Sequence, residues 1–190
     1  MSFNRKYDYI VVGQGLAGTL LVHDLLERNK IILIVDTNLR ASASRVAAGL
    51  INPISVRRCI PAFPDLYLKT AIKRYQELEE KLSSSFLHLK PILKLFRNED
   101  VKHLWNDKYS NEGMDIYIKS FNKKNTFPQL NDAFTSANVE PAGNLDVVKF
   151  LNDSKQYFTD KCDMLEEKFD FDYFNNIKID YKDFDAQKII

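Results

Sequence analysis

The chain has 190 residues, 45% of them hydrophobic and 12% aromatic, which is enough apolar material for a packed core and unlike a disordered chain. Lys and Arg number 27 against 26 Asp and Glu, a formal charge of +1, so no charge excess argues for nucleic acid or an anionic membrane surface. Cys59 and Cys162 stand alone; they form neither a disulfide framework nor a C-x-x-C pair, and both are expected to be reduced and structural.

The opening "MSFNRKYDYI" has no apolar signal core before a cleavage site. The first hydrophobic run is too short to span a bilayer, so a cytoplasmic protein is expected. That run, residues 9–12, reads as a buried strand, and residues 16–28 carry Leu16, Leu20, Leu21 and Leu25 at the spacing of one helical face. Between them lie Gly13, Gly15 and Gly18, the pattern G-x-G-x-x-G at a strand-to-helix turn. In a dinucleotide fold the first glycine permits the tight turn, the second lets a pyrophosphate approach the main chain, and the third lets helix and strand pack closely. The helix N-terminus then faces the anion. His23 lies on this helix and is expected to be a partly exposed residue with no special role.

After a short turn at Asn29 and Lys30, the run "IILIV" at 31–35 reads as a second strand ending in Asp36, 18 positions beyond Gly18. The order is β, α, β. An acidic residue at this place accepts hydrogen bonds from ribose hydroxyls and disfavours a 2′-phosphate; the other reading is a solvated Asp in an Asp-Thr-Asn turn. Up to this point NAD and FAD are served equally. Residues 41–53, "ASASRVAAGLINP", include nine of thirteen that are Ala, Ser, Gly, Asn or Pro. They read either as a loop passing close to a large flat group or as an Ala-rich helix start.

The combination of "VVGQGLAG", a second strand ending in Asp36 and "SRVAAGLINP" resembles the D-amino-acid oxidase/glycine oxidase family of FAD-dependent oxidoreductases. The resemblance implies a Rossmann-like βαβ FAD-binding domain with an inserted antiparallel β substrate subdomain. It places Gly13, Gly15, Leu16, Ala17 and Gly18 at the FAD pyrophosphate and Asp36 at the adenosine ribose. Ser44, Ala47, Ala48, Gly49 and Leu50 fall along the pyrophosphate and flavin ring, with Val12 and Thr37 adjoining the set at the two strand ends. The next stretch, "INPISVRR", is similar to a branch of the family in which Asn-Pro precedes a small-residue turn and paired arginines. Ser55-Val56 stands where that branch often has Thr-Gly, so Arg57 and Arg58 read either as ligand contacts or as a solvated basic pair.

Further along, Asp65 is expected to cap a helix with apolar positions Leu68, Ala71, Ile72, Tyr75, Leu78 and Leu82, its wet end marked by Glu77, Glu79, Glu80 and Lys81. From 86 to about 138, short apolar runs between Asn, Gly, Asp and Lys clusters read as antiparallel strands. This block fits the family's substrate insertion, and Trp105, Tyr109, Tyr117 and Phe121 are its candidate cavity aromatics, although an aromatic on a small sheet is more often core. Asn144 or Asp146 is expected to cap a helix carrying Val147, Val148, Leu151 and Phe158. Strands are expected around 164–174 and 177–181, and another begins at 186–190. The expected domains are 1–85 for the FAD-binding part, 86–139 for the insertion and 140–190 for the return. Because the chain ends on an apolar strand-like Ile189-Ile190, the expectation is a sheet interrupted at its C-terminal end. Such a chain is expected to be inactive alone and open to self-association through an unfinished edge.

His23, His88 and His103 are scattered, so no zinc site is expected. The resemblance implies oxidation of a C–N bond in an amino acid or secondary amine, a small-molecule substrate, with the cofactor carrying the chemistry, and no catalytic residue is assigned. Three alternatives stand beside it: an NAD-dependent dehydrogenase, a flavin-fold fragment without turnover, and the flavin domain of a tRNA wobble-uridine modification enzyme. The neutral charge balance counts against the last.

Overall fold

The structure is a computed structural model describing residues 6–37, 42–55, 57–130, 134–170, 180–181 and 184–190. In chain order it contains β1 (Lys6–Val12), α1 (Leu16–Glu27), β2 (Ile32–Asp36), the one-turn α2 (Ala43–Val46), β3 (Leu50–Ile51), β4 (Ile54–Ser55), β5 (Ile60–Pro61) and α3 (Asp65–Leu82). Then come β6 (Leu87–Leu89), β7 (Ile92–Leu95), α4 (Glu99–Asn111), a 3₁₀ turn (Met114–Ile116), β8 (Ile118–Asn122), β9 (Ser136–Val139) and β10 (Gly143–Leu145). The last elements are α5 (Val147–Thr159), β11 (Asp163–Glu166), β12 (Asp180–Tyr181) and β13 (Phe184–Ile189).

Two compact units share the chain: residues 1–47 with 147–190, and residues 48–146. These limits differ from the expected domain edges at 85/86 and 139/140. The reason is pairing: β10 bonds to both β3 and β6, so the segment after Ala47, the helix α3 and the approach to α5 all join the middle block.

The first unit is built on a five-stranded sheet of order β11-β2-β1-β13-β12. β1 runs parallel to both β2 and β13, and β2 runs parallel to β11. A parallel sheet covered on both faces needs strands that are apolar throughout. In β2, Leu33 and Val35 pack with Tyr7, Ile10 and Phe169, whereas Ile32 and Ile34 pack with Val11, Val22, Leu25 and Phe158 from the helical side. The final strand β13 lies between β1 and β12, so it is not itself a sheet edge. The expected strand at 164–174 is β11, Asp163–Glu166; residues 171–179 lie outside the described residues.

The expected exposure of His23 is corrected. It is fully buried, its Nε2 is 3.0 Å from Ser154 Oγ, and its ring lies 4.7 Å from that of Phe158. Position 23 falls on the buried stripe of α1 with Thr19 and Val22, a face that packs on α5.

In the second unit, one core gathers Ile54, Cys59, Leu68, Phe96, Trp105, Met114, Tyr117, Ile118, Ala137 and Val139. The strands expected over 86–138 are present as the sheet β7-β9-β8, but they enclose a helix that the polar sequence disguised. Asn98 Oδ1 accepts the Val101 amide at 3.0 Å, Glu99 and Asp100 occupy the first turn, and the apolar positions Val101, Leu104 and Trp105 follow at helical spacing. Other caps also differ from expectation. Asp65 is the first residue of α3 behind Pro64 and ion-pairs with Lys69; of the two residues offered as the cap of α5, Asn144 lies in β10 and Asp146 directly precedes the helix. Glu79 is half-buried rather than simply wet: its Oε1 accepts the amides of Phe86 at 2.6 Å and Leu87 at 2.7 Å.

Candidate functional site

The strand order places a topological switch at β1: the chain steps from β1 to β2 to β11 on one side, and β13 lies on the other. Open α/β sheets bind ligands outside the carboxyl ends of the strands at such a point. Here that place is the turn at residues 13–15.

The turn is shaped by its glycines. Gly13 has φ +94°, a conformation that side chains with a Cβ rarely adopt. Its amide is bound 2.8 Å from the Val35 carbonyl. Gly15 is the N-cap of α1 and supplies no side-chain cap. A Cβ built on Gly15 would come 2.9 Å from Ser44 Oγ, whereas one on Gly18 would overlap the carbonyl oxygen of Gly13. Gly18 therefore permits strand and helix to close, and Gly15 keeps the entrance of the helix bare.

Helix geometry leaves the first-turn amides of α1 without intrahelical acceptors. No acidic side chain lies in that turn, so the positive end of the helix is not offset from within. The Leu16 amide is held by Ser44 Oγ at 3.2 Å. Asp36, at the end of β2, turns back on the loop: its Oδ1 accepts the Gln14 amide at 3.0 Å. Gln14 is itself buried and reaches the Leu151 carbonyl at 3.4 Å.

The first unit thus brings together Gly13, Gly15, Leu16, Gly18, Asp36 and Ser44. Val12 ends β1 and is half-buried; Ala17 and Thr37 are exposed beside the turn, and Ala47 is exposed after α2. Gln14 is a buried residue of this turn that the sequence does not single out, because a glutamine between two motif glycines gives no periodic signal. Ala48, Gly49 and Leu50 open the second unit. There Gly49 has φ +65°, the Ala48 carbonyl accepts from Asn144 Nδ2, and the Gly49 carbonyl accepts the Leu145 amide at 2.9 Å. Leu50 is 63% exposed although it lies in a strand.

The expected cavity aromatics separate. Trp105 and Tyr117 are buried in the core, with Trp105 5.7 Å from Phe96. Tyr109 on α4 packs edge-on against Phe121 at 5.4 Å. Arg57 and Arg58 are both exposed, and Val56 lies outside the described residues. Among the described residues no three His, Cys, Asp or Glu side chains are grouped to hold a metal ion, and no helix is long and apolar enough to cross a membrane.

No protein-family model matches the chain, and no curated protein matches it. Solved structures do. The glycine oxidase of Bacillus cereus ATCC 14579 is similar with a TM-score of 0.66 and 23% identity, over 86% of this chain and 49% of that one. The glycine oxidase of Geobacillus kaustophilus gives 0.66 and 21%, over 87% and 48%. The L-amino acid deaminase of Proteus vulgaris gives 0.59 and 18%, over 84% and 39%. The chain spans about half the length of the glycine oxidases it matches. Over that span, the chain has the fold of the glycine oxidases and of L-amino acid deaminase.

Proposed function

We propose that the chain is the FAD-binding part of a flavoprotein oxidoreductase that oxidises the C–N bond of an amino acid or secondary amine. The observation that carries this reading is the bare, glycine-built entrance of α1 at the switch point, with Asp36 folded over it. In this reading Gly13, Gly15 and Gly18 let the pyrophosphate reach the backbone, and the first-turn amides at Ala17 and Gly18 meet its charge beside Leu16, whose amide Ser44 Oγ holds. The Asp36 carboxylate has two oxygens with about four acceptor directions, so it can hold the Gln14 amide and still receive ribose hydroxyls. Ser44 to Leu50 continue along the cofactor, and Val12 and Thr37 border it.

When bound, the flavin supplies the two-electron acceptor for the amine. The chain's own residues contribute binding and orientation, and no acid or base is assigned. The names of the structural neighbours, glycine oxidase, L-amino acid deaminase and iminodiacetate oxidase, support an amino-acid or amine substrate.

The test is the visible spectrum of protein purified without added cofactor, followed by titration with FAD and with NAD. A flavin band that survives desalting supports the reading. A colourless protein that binds NAD and ignores FAD replaces it with the dehydrogenase reading, which the glycine turn and Asp36 alone would serve equally.

A further inference from the structure

Among the described residues five polar side chains are buried, and four of them, Gln14, Thr19, His23 and Ser154, sit on α1, its entrance turn or α5, all within the first unit. α5 reaches the candidate site at three points. The Leu151 carbonyl accepts from Gln14 Nε2 at 3.4 Å, Asn152 Oδ1 accepts from Arg45 Nη1 at 2.9 Å, and Ser154 Oγ lies 3.0 Å from His23 Nε2. Arg45 follows Ser44 on α2, the residue that holds the Leu16 amide. Gln14 is fastened in two directions, its main-chain amide to Asp36 Oδ1 at 3.0 Å and its side chain to α5. It is 6% exposed, so its carboxamide faces α5 and not a ligand.

We infer that Gln14 is a positioning residue: anchored on α5, it holds the glycine turn in its binding shape before any cofactor arrives and keeps Asp36 fixed relative to the entrance of α1. The inference rests on the reading of this turn as the cofactor site, and it gives the role to a side chain that does not touch the cofactor. The reason is conformational entropy. Gln14 stands between Gly13 and Gly15, and glycine samples more backbone conformations than any other residue. Fixing one residue costs roughly a factor of ten in an equilibrium constant. An untethered Gly-Gln-Gly turn would lose that freedom on binding, whereas a tethered one has already lost it in folding. The His23–Ser154 contact, two turns into α1, keeps the same two helices in register, since a buried polar pair in an apolar contact is satisfied in one alignment.

The experiment uses the whole chain. In the wild type, amide exchange followed by NMR is expected to be slow at Gly13 and Gln14 before FAD is added, because both amides are already bonded. Gln14→Met keeps the length of the side chain and removes the donor. The Leu151 carbonyl retains the Lys155 amide inside α5, so no acceptor is orphaned. The denaturation midpoint is expected to stay close to wild type, while FAD affinity falls about tenfold and exchange at Gln14 quickens. Thr19→Val alters the same buried side of α1 without touching the tether, and is expected to leave FAD affinity unchanged. In an Asp36→Ala background, Gln14→Met is expected to cost less than about threefold, because the group it positions is gone. Unchanged FAD affinity in folded Gln14→Met, an equal loss in Thr19→Val, or the same tenfold loss in the Asp36→Ala background overturns the positioning role and leaves the cofactor reading standing. Rapid exchange at Gln14 in the cofactor-free wild type does the same, and it decides alone if Gln14→Met does not fold. A wild type that binds no FAD overturns the cofactor reading, and this role with it.

Discussion

The Ser44 hydroxyl accepts the Leu16 amide at 3.2 Å, tying the first amide of α1 to a segment 28 residues further along. The same oxygen lies 2.9 Å from the point where a Cβ on Gly15 would stand. Ser44 is thus the group that senses any side chain placed at the helix entrance. The neighbouring Gly18 answers to backbone instead, since its absent Cβ faces the Gly13 carbonyl.

That contrast separates two glycine substitutions. In Gly15→Ala the obstacle is a hydroxyl that can rotate, so the fold is expected to persist while FAD binding weakens, and Gly15→Val is expected to abolish binding altogether. In Gly18→Ala the obstacle is main chain, and the expected loss of stability is about 3 kcal/mol, the upper end of the range for a forced overpacking. Urea denaturation and FAD titration read the two effects. Equal stability losses for Gly15→Ala and Gly18→Ala would show that the entrance and the helix–strand contact are not distinct.

Asp36 carries a second prediction. Its carboxylate binds the Gln14 amide, and hydrogen bonds to a charged group contribute about 1.5–3 kcal/mol each. Asp36→Ala is expected to weaken FAD roughly ten- to a hundredfold on that scale. Asp36→Asn keeps an acceptor for Gln14 and loses the charge, so its effect should be smaller. Affinity unchanged in Asp36→Ala would leave the carboxylate as a turn residue only.

The glycine turn and Asp36 were legible because their signals are local: a strand-length apolar run, fixed glycine spacing and an acid at a strand end. α4 was not, because its helical character comes from the Asn98 cap and from three apolar residues among polar ones, which read as a connection. The burial of His23 is hidden in the sequence for a related reason. Leu16, Leu20, Leu21 and Leu25 mark an apolar face, but the buried set is Thr19, Val22, His23 and Leu25, fixed by where α5 packs. Glu79 lies near the end of an acidic run, yet only the return of the chain at Phe86 shows that it holds two amides.

That Glu79 arrangement yields a stability prediction for the second unit. Glu79→Ala leaves the Phe86 and Leu87 amides without their acceptor, and both residues are buried. The expected loss is about 2–4 kcal/mol, with Glu79→Gln losing less because its carbonyl oxygen still accepts. Chemical denaturation of the two variants checks this. Indistinguishable midpoints for wild type and Glu79→Ala would mean that water serves the amides equally well.

The cysteines give the last prediction, because one lies in each unit. Burial raises the thiol of Cys59 from 9.0 to about 11, and that of Cys162 likewise to about 11. For a group whose folded pKa is raised, the associated stability is fully present below the unfolded value and is lost as pH rises through the folded one, here between about 9 and 11. At pH 8 the thiolate fraction is then about one in a thousand when folded against about one in ten when unfolded, and only thiolate reacts. Ionisation alone should slow iodoacetamide labelling roughly a hundredfold relative to the unfolded chain. Cys59 is also completely buried, whereas Cys162 is partly accessible. Cys59 should therefore label only through opening of the second unit, and Cys162 without it. Glu79→Ala should accelerate Cys59 in step with its stability loss and leave Cys162 unchanged, since local opening controls access to a buried group. The readout is peptide mass spectrometry after timed labelling at pH 8. Fast labelling of Cys59 in the folded wild type, or equal acceleration of both cysteines by Glu79→Ala, would contradict independent opening of the two units.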